Sequence, residues 1–123
     1  MQTDVSRPLT AEERRLLDGL LAYDFPGVQE LRSQARDLRT KKGCTCGCGT
    51  IDLIVQDPRL LPSDAVSPVP VEGHIRGVDG EDVGGVLLFV SNGLLASLEV
   101  YSYGEPLPLP RSDQVTWEKI KRR

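Results

Sequence analysis

Val86-Leu87-Leu88-Phe89-Val90-Ser91-Asn92-Gly93-Leu94-Leu95-Ala96-Ser97-Leu98-Glu99-Val100-Tyr101 is the stretch on which the fold turns. Val86 to Val90 is the most apolar run in the chain and predicts a central strand. Asn92 and Gly93 both tolerate positive φ, the backbone condition for a two-residue hairpin turn. The return strand then runs from Leu94 to Tyr103. Its period of two sets Leu98, Val100 and Ser102 on one face and Glu99, Tyr101 and Tyr103 on the other. An antiparallel sheet follows from this hairpin alone.

Ile51 to Val55 is a short β-branched run and Val69 to Arg76 a further strand, with Pro70 arguing for an edge or a late start. Residues 56–68 contain Pro58, Pro62 and Pro68 and read as a surface loop. Gly77 to Gly84 is a turn-rich connection. Pro106, Pro108 and Pro110 alternate with leucines and predict an extended run across the surface. Asp113 to Lys119 reads as a last short strand or a turn, anchored by Trp117.

The N-terminal third has helical periodicity instead. Thr10 and Glu13 form the reciprocal pattern of a capping box, and Leu16, Leu17, Leu20 and Leu21 make one apolar face, so a first helix is expected over about 10–22. Pro26 suits the first turn of a second helix. Val28, Leu31, Ala35 and Leu38 carry that helix to about residue 39. The expected architecture is α+β: two N-terminal helices packed on an antiparallel sheet of about four strands. Residues 1–123 are read as a single domain, with about 1–8 and 121–123 flexible.

Charge narrows the function classes. The chain carries 15 Lys/Arg and 18 Asp/Glu, a net charge of −3. This gives no global attraction to nucleic acid or to an anionic membrane surface. The distribution is uneven: residues 46–113 hold three basic and ten acidic groups. The sheet half should therefore present a negative surface that suits a basic or neutral protein partner. No apolar run reaches the length of a membrane span, and the N-terminus lacks the pattern of a secretory signal. Three clustered cysteines do not form a disulfide framework, which makes a reducing, cytoplasmic setting the expectation.

Those cysteines carry the most chemistry. Cys44, Cys46 and Cys48 alternate with glycine and threonine, and in an extended strand successive sulfurs would lie about 6–7 Å apart, too far to share an ion. Turns at Gly43, Gly47 and Gly49 would let them converge, and His74, the sole histidine, would complete a Cys3His zinc set. The spacing of one residue between cysteines departs from the two to four usual in such sites. Three readings follow. The thiols are small buried hydrophobes beneath the second helix, with no cofactor; they bind zinc with His74; or one of them is a redox thiol acidified by Lys41 and Lys42.

The remaining candidates favour plain roles. Arg32, Arg36 and Arg39 could form a basic stripe, but Glu30 and Asp37 among them favour a solvated helix face. Asp79, Glu81 and Asp82 read as an acidic hairpin tip rather than a calcium site. His74 reads as a half-exposed strand residue rather than a general base. No serine lies in a nucleophile elbow, and Gly77, Gly80, Gly84 and Gly85 match no phosphate-binding pattern. No catalytic residues are assigned.

Taken together, the opening from Arg7 to Leu21, the bend from Gly43 to Leu53 and the close from Ser97 to Pro110, with its Tyr101-Ser102-Tyr103 and Pro-rich exit, resemble a family of small bacterial proteins with no assigned activity. That resemblance transfers no functional residues. Some single-domain proteins ending this way are similar to immunity proteins of bacterial toxin systems. The negative charge surplus of the sheet half and the shortage of catalytic residue types make a non-catalytic binding module, meeting another protein through its acidic sheet face or its Pro-rich exit, the leading expectation.

Overall fold

The computed structural model describes residues 6–42 and 48–120. Its elements are β1 (Arg7–Pro8), α1 (Ala11–Leu21), α2 (Val28–Gln34), β2 (Leu38–Lys42), β3 (Ile51–Val55), β4 (Val71–Arg76), β5 (Asp82–Ser91), β6 (Leu94–Ser102) and β7 (Val115–Lys119). Single 3-10 turns cover Ala35–Asp37 and Ser112–Gln114. The strands form one antiparallel sheet in the order β1-β2-β3-β6-β5-β4-β7.

The α+β class stands, but among the described residues the sheet has seven strands rather than about four. The difference has three sources. The second helix does not continue to residue 39: it stops at Gln34, and after one 3-10 turn Leu38 is already extended, at φ −115° and ψ 147°. Leu38 and Thr40 are buried while Arg39 and Lys41 alternate with them, so the periodicity changes from helix to strand inside what looked like one apolar repeat. Arg7–Pro8, expected to belong to a loose arm, pairs with β2, and Val115–Lys119 is a full strand against β4. Helical structure is also not confined to the N-terminal part, since the turn at Ser112–Gln114 precedes β7.

The central hairpin forms as its sequence requires. Asn92 and Gly93 take φ values of 52° and 81°, and β5 and β6 pair along their length from Gly84↔Ser102 to Ser91↔Leu94. Pro26 lies outside α2: Pro26 and Gly27 occupy the corners of a type II turn, with Gly27 at φ 89° and Val28 N–H donating to Phe25 O.

Both helices lie on one face of the sheet. The capping box at the start of α1 is present, with Glu13 N–H donating to Thr10 Oγ1 and Thr10 N–H to Glu13 Oε1. Leu16, Leu17 and Leu20 from α1 and Leu31 from α2 are fully buried against Val71, Val86, Leu88 and Leu98. The helix ends satisfy each other. Arg32 of α2 donates to Leu21 O and Tyr23 O at the end of α1, while Arg14 of α1 donates to Ala35 O at the end of α2. These cations meet the carbonyl ends of the helix dipoles, where positive charge is favourable. Arg39 instead leaves the helix and bonds Ser6 from β2. Arg32 and Arg39 thus sit on different elements with separate partners while Arg36 is exposed on the 3-10 turn, so the three arginines form no single stripe.

Candidate functional site

Among the described residues the second face of the sheet carries no helix, and its side chains follow from the register. On β6 and β5, Leu87 lies opposite Glu99, Phe89 opposite Ser97 and Gly85 opposite Tyr101. On β4 and β7, Glu72 lies opposite Glu118 and His74 opposite Thr116. On β3, Asp52 lies opposite Ser97 and Lys41 of β2 opposite Asp52. Since Gly73 pairs with Val86, Glu72 neighbours Leu87 one step along. One row crossing β7, β4, β5 and β6 therefore reads Glu118, Glu72, Leu87, Glu99. At one strand spacing per step it spans about 14 Å.

This row places two carboxylates directly across from each other, an arrangement that costs stability in a sheet. Tyr101 relieves one of them: its hydroxyl donates to Glu72 Oε2 at 2.9 Å. Burial and then this bond to a carboxylate raise the Tyr101 pKa well above its ordinary value, so the phenol stays a donor. The ring lies over Gly85, where any Cβ would meet it, and this fixes the need for glycine there. Tyr103 meets Tyr101 edge to face, with centroids 5.8 Å apart, and is itself largely exposed.

His74 stands among three carboxylates. Its Nε2 is 2.8 Å from Glu118 Oε1, and Nδ1 faces Asp82 Oδ2 at 3.7 Å without forming a hydrogen bond. Glu72, two residues away on the same strand, shares its face. The half-exposed strand position expected for His74 is what the structure shows. Its acidic neighbours were not foreseen. The alternation of Glu72 and His74 was visible in the sequence, but Glu118 joins them only through the pairing of β7 with β4.

The zinc set is not brought together among the described residues. Cys44 and Cys46 lie outside the described residues. Cys48 precedes β3, while His74 lies on β4, with β6 and β5 between these two strands. Three strand spacings amount to about 14 Å. Among the described residues no group of three or more His, Cys, Asp or Glu side chains is placed to hold a metal ion. Cys48 is half-buried, and its thiol pKa is lowered by hydrogen bonding to Thr50, with burial and Glu99 acting against this. At Cys48 the acidifying group is Thr50 rather than Lys41 or Lys42.

The open face also has relief. β3 pairs with β6 only at Ile51↔Leu98 and Asp52↔Ser97, and beyond Asp52 the strands part around a cleft of about 420 Å3. Lys41, Asp52 and Ile54 line one wall and Leu94 and Ala96 the other. Behind this parting, the side chain of Gln34 accepts from Leu95 N–H and donates to Gly93 O and Leu61 O.

No protein-family model, curated protein or solved structure matches this chain. No helix among the described residues is long and apolar enough to cross a membrane.

Proposed function

We propose that the chain is a non-catalytic binding module that docks a basic protein partner, in the reducing interior of the cell, on the helix-free face of its sheet. The observation that carries this reading is the row Glu118, Glu72, Leu87, Glu99: three carboxylates flanking an apolar centre, with two of them in a mutually unfavourable pair. A lysine or arginine side chain set between them would relieve the repulsion and bury its stem against Leu87 and Phe89. Tyr101, bonded to Glu72, and Tyr103 packed against it offer ring faces to a guanidinium. An immunity-like role, the neutralising of a basic toxic protein, is the same reading with a particular partner.

The test is direct binding of a fluorescent Lys/Arg-rich peptide, with a Glu-rich peptide of equal length as control. The basic peptide should bind, and its affinity should fall steeply with salt. Charge reversal at Glu72 and Glu99 should remove the binding, while Glu105→Lys, in the exposed loop after β6, should leave most of it. Equal affinity for both peptides, or no effect of the face variants, would refute the proposal.

A further inference from the structure

The two edges of the sheet are built differently. At one end β1 is two residues long and includes Pro8, which has no N–H to offer. At the other end β7 is five residues long, contains no proline and pairs with β4 without a register shift. Such an edge is a ready template for another strand.

The direction of its hydrogen-bonding groups can be read from the register. Ile120 N–H donates to Pro70 O at 2.8 Å, continuing the series Val71↔Lys119 to Ile75↔Val115. Hydrogen-bonded pairs alternate along an antiparallel ladder, so Thr116, Glu118 and Ile120 turn their backbone groups toward β4. Trp117 and Lys119 turn theirs to the free edge, joined by the carbonyl of Val115, whose N–H is taken by Ser112 O. The Lys119 ammonium does not reach across this edge; it is held on Asp24 O.

We infer that β7 is a homodimer interface, pairing antiparallel with β7 of a second copy about a two-fold axis at Trp117. Self-complementarity selects both the partner and the register. Centred on Trp117, each Trp117 exchanges N–H and C=O with its counterpart, and each Lys119 N–H meets the carbonyl of the other copy's Val115. Thr116 then faces Glu118 of the other copy, a hydroxyl opposite a carboxylate, and no like charges oppose each other. Centring on Glu118 or Lys119 would set that charge against itself. Centring on Val115 or Thr116 would run the partner past the start of the strand, into the 3-10 turn. An axis of this kind is isologous and keeps both sets of helices on one side, so the two open faces form one continuous surface. The inference does not depend on what that surface binds.

Sedimentation equilibrium over a concentration series tests it on the full chain. The wild type should show a monomer–dimer equilibrium. Thr116→Glu, on the exposed face, opposes Glu118 twice across the axis and should weaken the dimer about tenfold. Adding Glu118→Lys to it should restore the dimer, because opposite charges then meet. Lys119→Pro removes an outward N–H and leaves the groups facing β4 intact, so it should weaken dimerisation with little change in helix and strand content by circular dichroism. A wild type that stays monomeric to about 1 mM, beyond the range of a specific complex of this kind, overturns the inference. So does a dimer indifferent to Thr116→Glu, or a double variant no better than the single one.

Discussion

The two faces of this sheet are made by the same strands, residue by residue in alternation, yet they treat polar groups in opposite ways. On the helix side each buried polar side chain among the described residues has its partners. Gln34, fully buried, bonds three backbone groups. Thr40 Oγ1 donates to Asp52 O at 2.6 Å, and Glu13, at 4% exposure, receives a two-pronged bond from Arg7 and the amide of Thr10. On the open side Glu72 faces Glu118, and His74 Nδ1 is left without a hydrogen bond beside Asp82. Stability is concentrated on the covered face. The open face holds interactions that a bound cation would improve.

The largest loss should come from Gln34. Its amide closes the place where β3 and β6 part, so Gln34→Leu would leave the buried Leu95 N–H without this partner, and the Leu61 carbonyl of the exposed loop with water alone. The expected cost is about 3 kcal/mol, in the range for orphaned buried groups. It should appear in urea unfolding as a lower midpoint with an unchanged slope. A loss below about 1 kcal/mol would mean that water satisfies the site and that the covered face is not sealed there.

Glu13 comes next. The Arg7 guanidinium, followed by the Thr10 amide, holds its carboxyl below the usual carboxylate range, despite burial pushing the other way. A carboxyl depressed in the folded state stabilises the protein above its unfolded pKa and loses that contribution as pH falls through the folded one. Glu13→Gln should therefore cost about 2 kcal/mol at pH 7, the range for hydrogen bonds to charged groups. The gap between variant and wild type should shrink as pH falls below about 4. A gap that is constant from pH 7 to pH 3 would assign the role to shape rather than charge. A smaller loss is expected at Gly19 in the middle of α1. Exchanging a mid-helix glycine for alanine ordinarily helps, but here the added methyl meets the indole of Trp117. Gly19→Ala should destabilise by about 1–2 kcal/mol, as overpacking does, and a gain measured by thermal melting would show that Trp117 can shift.

These positions also show what the sequence could and could not reveal. The capping box, the hairpin at Asn92-Gly93 and the alternation of β6 were legible because each is a local pattern whose physics is complete within a few residues. β2 was not, because Leu38 prolongs the helical spacing of Val28, Leu31 and Ala35. Only its partners, Val55 across the ladder and the buried Thr40 beside it, turn that segment into a strand. Trp117 was recognised as an anchor, but its seat on Gly19 and Gly73 joins residues far apart in the chain. For the open face, composition foretold a negative sheet half. It could not say which acids meet: Glu72 and Glu118 are 46 positions apart and become neighbours only when β7 joins β4. Cys44 and Cys46, half of the proposed ligand set, lie outside the described residues.

The smallest predicted effect has the opposite sign, and it separates the two faces most sharply. Glu118 lies across from Glu72 on an exposed pair of strands, so Glu118→Lys exchanges a like-charge pair for an opposite one. Cross-strand pairs of this kind are worth about 0.2–1 kcal/mol, less at high salt, and the same change removes the 2.8 Å contact with His74. The net result should be a gain of a few tenths of a kcal/mol in low salt that fades as salt is added. Affinity for the basic peptide should fall in the same variant. A change that stabilises the fold while weakening binding is what a surface kept for a partner produces. If Glu118→Lys instead cost as much as Glu13→Gln, then Glu118 would be part of the scaffold through His74, and the division between the two faces would fail at that residue.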